Sequence, residues 1–254
     1  MDEVAQAAVA GPQEVFIYAL AQQIGQARHV AVGANSPLPA AAAFLAQQWG
    51  NGMPIVSIQE FPRFNSFTDG GRELFDAAGQ GRIDVFFLSG AQIDGAGNIN
   101  LVAVGEYEHP KRRFAGSFGS SYLYFVVPRV ILFRTEHSRR TLVERVDFVS
   151  APGTSPPNVY RPGGPGALVT PRCVFAFDRA RGRFRLESVH PEHSVDEVLE
   201  HTGFQFDWSR PVQTTAAPSE EVLRTMRGPV AAKLFELYPS FAAQVFAAAA
   251  QPTR

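Results

Sequence analysis

Apolar residues recur at three- and four-residue intervals through "PQEVFIYALAQQIGQ", which predicts a helix with Pro12 in its first turn and Gly25 past its end. "HVAVGANSP" then reads as a buried strand, Val30 to Val32, running into a Gly-Asn turn. "PLPAAAAFLAQQWG" predicts a second helix stopped by Gly50, and "MPIVSIQEF" a second strand. "GGRELFDAAGQGR" fits a short helix and turn, and "IDVFFLSGAQID" a third strand. Strand alternating with helix argues for an α/β fold, an open and largely parallel sheet with helices on both faces. In such sheets ligands bind beyond the carboxyl ends of the strands. Three strand ends therefore stand out: Gly33-Ala34-Asn35, Ser57-Ile58-Gln59-Glu60, and Ser89 to Asn100.

Beyond Pro128 the pattern shortens. "YLYFVVPRVILF", broken by Pro128 and Arg129, reads as buried strands. "RVILFRTE", "LVERVDFVSAPG", "ALVTPRCVFAFD" and "RFRLESVHP" read as short strands between turns. "SVDEVLEHTGF" is a helix with Ser194 as N-cap and Gly203 just past its end. From about residue 215 to 254 the chain is helical and suited to wrap the surface or a partner. Gly163-Gly164-Pro165-Gly166 reads as a flexible loop inside one continuous domain, 1–254.

Composition narrows the functional classes. The 254 residues, 45% hydrophobic, suffice for a sizeable core. A formal net charge of -1 recommends neither a nucleic acid nor an anionic membrane as partner. The acidic residues at the amino terminus do not resemble a signal peptide, and no apolar run approaches the roughly 20 residues of a membrane span. A lone cysteine, Cys173, between apolar neighbours reads as a small buried hydrophobe and fits a reducing, cytoplasmic setting. No P-loop or dinucleotide glycine fingerprint occurs, and the six histidines form no metal-binding spacing.

The segment "GAQIDGAGNIN" supports two readings. Asp94 and Asn98 are turn-formers that bond their own backbone, and Gly90 and Gly97 allow positive φ or close approach, which together make a tight hairpin. The same residues, with Gln92 and Asn100, would also serve as a polar-lined turn at the mouth of a cleft. Downstream, Lys111 to Arg113 form either a solvated basic turn or a contact for phosphates. His109 suits a structural turn better than acid–base work. Arg63 fits equally a surface role or a partner for a substrate carboxylate.

"FFLSGAQIDGAGNINLVAVGEYEHPKRRFAGSFGS", "TEHSRRTLVERVDFVSAPG" and "HPEHSVDEVLEHTGFQFD" resemble, in order, the β-type subunits of family I CoA-transferases of the glutaconate type. Upstream, "VAVGANSPLPAAAAFLA" resembles the family's first strand, glycine turn and helix. The likeness runs from about Val15 to Asp207. It implies the CoA-transferase fold, a CoA thioester as substrate with no permanently bound cofactor, and an α-type partner subunit in a heterodimer that pairs into a heterotetramer. It makes Gly33, Asn35, Gln59, Gly90, Gln92, Asp94, Gly97, Asn98 and Asn100 candidates for substrate or CoA contacts.

The resemblance also marks two departures. Transferases of the family use a glutamate at the end of the second strand as covalent nucleophile. An ungapped match puts Ser57 or Ile58 there, with Glu60 two residues on and on the same strand face as Ile58. The family's glycine loop corresponds to "AGSFGSSY", where Gly116, Ser117 and Gly119 remain and Phe118 replaces a glycine. Its backbone N–H groups would still form an oxyanion site, and Phe118 would narrow and dry the pocket. These changes favour a member that binds acyl-CoA without exchanging CoA. The preferred branch is the myxobacterial type of decarboxylase acting on 3-methylglutaconyl-CoA, where a small residue such as Ser57 is expected. True CoA transfer through Glu60, hydrolytic cleavage of a steroid-derived ring thioester, and a non-catalytic scaffold subunit are the alternatives.

Overall fold

The computed structural model describes residues 9–246. Residues 1–8, with the acidic start of the chain, and 247–254, the end of the expected helical tail, lie outside the described residues. The chain opens as α1 (Pro12–Ile24), β1 (His29–Val32), α2 (Pro37–Trp49), β2 (Ile55–Ile58), α3 (Gly70–Gly79) and β3 (Val85–Leu88). Two small ribbons follow: β4 (Gln92–Ile93) with β5 (Ile99–Asn100), and β6 (Ala103–Val104) with β7 (Arg112–Arg113). Next come α4 (Ser120–Val126), β8 (Arg129–Phe133), β9 (Pro165–Val169), β10 (Cys173–Asp178), β11 (Arg183–Val189), α5 (Val195–His201) and β12 (Asp207–Thr214). The helices α6 (Glu220–Thr225), α7 (Ala231–Leu237) and α8 (Pro239–Phe246) complete it.

Eight strands form one open sheet in the order β12-β11-β10-β9-β8-β3-β1-β2. The run β2-β1-β3-β8-β9 is parallel throughout, and β10 is antiparallel to both its neighbours. Side chains alternate between the two faces along each strand. Val30 and Val32 pack on α1, α2 and the carboxyl-terminal helices. Ala31 points to the opposite face, among residues of α3, α4, α5 and the 92–99 ribbon. Cover on both faces at the centre of the sheet explains why β1, β3 and β8 read as continuous apolar runs. Phe44, buried at the centre of α2, illustrates the energetics: replacing it by alanine removes about 3–5 kcal/mol of stability.

Several sequence expectations are corrected. The apolar run 120–126 is a helix, because a short apolar run is ambiguous by periodicity and here it supplies the crossover into β8. The segment 142–151 is irregular rather than a strand and joins the ribbon by isolated bridges, Ile93 with Leu142 and Ile99 with Ala151, and by side-chain bonds. Gly163 to Pro165 are buried rather than a flexible surface loop. Gly163 donates to the Phe125 carbonyl at 2.8 Å, and a Cβ there would meet backbone oxygens of Phe125 and Val127. Strand β12 was not foreseen. The carboxyl-terminal helical stretch is interrupted by a π-helical turn, Met226–Val230, which contains Pro229.

Candidate active site

The carboxyl ends of β1 and β2 meet at one rim. β1 leads through Gly33 into Asn35, which has φ of 51°, and then into α2. β2 leads into Gln59 and Glu60. The exposed Glu60 side chain is held through a single oxygen: Oε1 accepts the Asn35 N–H at 2.7 Å and the Tyr238 hydroxyl at 2.6 Å. Burial, with Glu60 second, raises the Tyr238 pKa and keeps the phenol a donor. Tyr238 also packs edge-on against Phe61. Gln59 lies beside this cluster, and its side-chain Nε2 is buried without a partner among the described residues. Arg63, in the turn that follows β2, is paired with Glu236 of α7 at the surface rather than standing free for a substrate carboxylate.

Ser57 sits differently. It pairs in register with Ala31, so it faces α3, and it is wholly buried. Its Oγ lies 2.8 Å from His29 Nε2 and 2.6 Å from Ser66 Oγ. The His29 ring stacks on Phe67, and burial lowers its pKa, so the imidazole is neutral and able to accept the Ser57 proton in a hydrogen bond. Ser57 and Glu60 are thus not alternatives for one place: one lies inside the sheet and the other on its rim.

The glycine loop precedes α4 on the same side of the sheet as the strand ends. Gly116 has φ of 100° and Phe118 φ of 48°, both in the region that favours glycine. Gly119 is required for another reason, since a Cβ there would overlap the Phe75 ring. The N–H groups of Gly116, Ser117, Phe118 and Gly119 donate to no group among the described residues, whereas the Ser117 carbonyl accepts from the Ser120 N–H at 2.8 Å. Phe118 is 85% exposed and leans on Phe75 and Gly71 at the outer rim. Within this chain it encloses no pocket and stands open at the rim.

The ribbon residues take the other course. Asn100 is fully buried; its Nδ2 donates to Gln92 Oε1 and the Ala103 carbonyl, and its Oδ1 accepts from the N–H groups of Val102 and Ala103. Gln92 in turn exchanges hydrogen bonds with Asp147. Asp94 accepts from the N–H groups of Ala96 and Asn98 and from the Asn98 side chain, and Asn98 Oδ1 receives the Gly153 N–H. Gly90 and Gly97 are buried in close packing, Gly97 with φ of 74°. The polar groups of Gln92, Asp94, Asn98 and Asn100 are occupied within the chain. Of the two readings, this geometry supports the tight hairpin, whose side chains fasten the irregular 142–153 segment to the fold.

Sequence reading missed two residues. Tyr238 reaches Glu60 from 178 positions away, with no local signal. Arg134 follows the apolar run of β8, and a charged residue at a parallel strand's carboxyl end was a usable signal. Its Nη1 donates to the Gly90 carbonyl at 2.8 Å. Lys111 and Arg113 stay exposed, Arg113 over the Tyr107 ring. Cys173 is fully buried and its thiol is pushed up to about 12 by burial, which leaves it inert at neutral pH. Among the described residues, no group of three or more histidine, cysteine, aspartate or glutamate side chains is placed to hold a metal ion. No helix among them is long and apolar enough to cross a membrane.

The family model for coenzyme A transferase matches residues 14–201, and the chain belongs to that family. It is 35% identical over 150 residues to the B-type subunit of the glutaconate CoA-transferase of Acidaminococcus fermentans, a match covering 56% of this chain and 55% of that protein. It is 31% identical over 160 residues to the cholesterol ring-cleaving hydrolase IpdB subunit of Rhodococcus jostii, covering 61% and 62%. Among solved structures, the decarboxylase AibA/AibB superposes with a TM-score of 0.71 at 26% identity, over 88% of this chain and 98% of that one. The aligned region thus spans under two thirds of these curated relatives, while the fold matches the solved neighbour nearly end to end.

Proposed function

We propose that this chain is the β-type subunit of a heteromeric cytoplasmic enzyme that decarboxylates a short unsaturated dicarboxylyl-CoA, of the (3-methyl)glutaconyl-CoA type, without covalent capture of CoA. The observation that supports this most is Ser57. Of the two positions where the resemblance puts the transferase glutamate, Ser57 or Ile58, neither carries a carboxylate, and Ser57 is a buried hydroxyl already bonded to His29 and Ser66. Relatives and solved neighbours include a decarboxylase and a hydrolase beside a glutaconate CoA-transferase, so chemistry other than CoA exchange occurs on this fold.

The reaction needs no carrier group. The bond between the γ-carbon and its carboxylate breaks and releases CO2. Its electron pair passes through the double bond into the thioester carbonyl, giving a dienolate. The unengaged N–H groups of Gly116 to Gly119 are donors suited to that oxygen. A proton delivered to carbon then gives the monoacyl-CoA product.

A second reading is favoured by Glu60, whose Oε2 has no partner among the described residues while Oε1 has two. A carboxylate held at one oxygen leaves the other available to attack a thioester. Mass spectrometry of the complex, co-expressed with its α-type partner and incubated with glutaconyl-CoA or 3-methylglutaconyl-CoA and acetate, separates the two. Loss of one CO2 with no adduct on the chain is expected. A borohydride-sensitive CoA adduct on Glu60, with acetyl-CoA formed, would replace decarboxylation by CoA transfer.

A further inference from the structure

A cavity of about 320 Å³ opens between the β6–β7 ribbon and the residues that follow β8. Its walls include Ala91, Val104 and Phe114, and three guanidinium groups, from Arg112, Arg134 and Arg140, reach it alongside one carboxylate, Glu136. Arg140 forms an ion pair with Glu136 at 2.6 Å. Arg112 lies over the Phe114 ring, and neither it nor Arg134 pairs with a carboxylate among the described residues. Arg134 is half-buried, and its Nε is buried with no hydrogen-bond partner among the described residues. A desolvated guanidinium donor left open is costly unless an anion completes it, and the planar fork suits paired anionic oxygens.

We propose that this cavity is an anion subsite in which Arg134 and Arg112 hold the phosphate groups of the CoA moiety. The inference rests on the reading that the chain acts on CoA thioesters. Burial lowers the Arg134 pKa although Glu136 nearby works against it, so its charge is not fully compensated in the cavity. Position argues for phosphate over the distal carboxylate of the acyl group. Arg134 ends β8 and Glu60 follows β2, and the sheet order β2-β1-β3-β8 separates them by three strand spacings, roughly 14 Å. A five-carbon diacid is shorter than that span, whereas the pantetheine arm of CoA is long enough to bridge it.

The test is titration of the co-expressed complex with ADP and, separately, with glutarate, in the wild type, Arg134→Met and Arg112→Ala. ADP should bind the wild type and lose roughly ten- to hundredfold in affinity on Arg134→Met, with a smaller loss on Arg112→Ala, an exposed position that leaves the fold undisturbed. The KM for a CoA thioester should rise in Arg134→Met while that for the matching pantetheine thioester stays unchanged. Equal ADP affinity in all three proteins would overturn the subsite. Glutarate binding that depends on Arg134, without ADP binding, would overturn its assignment to phosphate. ADP binding that depends on Arg134 in a complex that turns over no thioester would uphold the subsite and sink the decarboxylase reading instead.

Discussion

The ribbon side of the sheet and the rim at β1, β2 and the glycine loop are made of the same residue types, and they differ in where their hydrogen bonds go. Around Gln92, Asp94 and Asn100 every amide and carboxylate has partners inside the chain. The same closure extends to the buried His137, whose ring nitrogens meet Thr170 and Thr202, and to His190, bonded to Thr215 and the Thr170 carbonyl. On the rim, four consecutive N–H groups and one oxygen of Glu60 are left open among the described residues. Glycine and polar residues alone do not separate a scaffold from a site. Satisfaction of their polar groups does.

The largest effect should come from acidifying the closed side. Burial lowers His137 to about 3 and His190 to about 4, below the ordinary imidazole value. Both are neutral in the folded state, so their contribution is complete above about pH 6.5 and is lost as pH falls toward 3, when only the unfolded chain binds the protons. At pH 5 each imidazole should reduce stability by about 2 kcal/mol relative to pH 8. A melting temperature that stays flat from pH 8 to 5, or that falls equally in the His137→Gln/His190→Gln double variant, would show the network is not closed.

Asn100→Ala comes next. It leaves the N–H groups of Val102 and Ala103 without their acceptor and removes a donor to Gln92 Oε1 and the Ala103 carbonyl, and should remove about 3 kcal/mol in urea unfolding while the folded fraction keeps its turnover. Gly116→Ala is the converse. No described atom lies within 4 Å of the added methyl, so strain at positive φ costs only about 1 kcal/mol. If the loop N–H groups hold the dienolate oxygen, turnover should nevertheless drop by about tenfold to a hundredfold as they shift. If Asn100→Ala abolished turnover without loss of stability, and Gly116→Ala did the reverse, the contrast between the two sides would be inverted.

How much of this was readable beforehand follows the same division. Helices α1 to α3 and strands β1 to β3 declare themselves by period and by their glycine and proline boundaries. The helix at 120–126 does not, because "SYLYFV" satisfies strand and helix patterns alike and the choice is made by the crossover into β8. β12 hides because "DWSRPVQT" is a largely exposed sheet-edge strand whose Pro211 and polar residues carry no alternation. At the site, Glu60 is legible as a position at a strand end, and the glycine loop only through its likeness to the family's. The enclosure of Ser57 and the partners of Asn100 arise from residues brought together by the fold, and no local pattern encodes them.

Tyr238→Phe gives the smallest expected change and the finest discrimination. It deletes one hydrogen bond to Glu60 and leaves the ring against Phe61, so stability should fall by only about 1 kcal/mol. In a decarboxylase whose Glu60 takes no covalent part, turnover should change by less than about threefold, under 1 kcal/mol in barrier. If Glu60 is instead the nucleophile, its Oε1 donors set the basicity of the attacking Oε2. Removing one should then alter the rate of adduct formation and shift its pH profile, whereas a purely structural role for Tyr238 would leave that profile in place. Measuring turnover against pH in Tyr238→Phe and wild type therefore asks whether the open oxygen on the rim is a reacting group or a bystander.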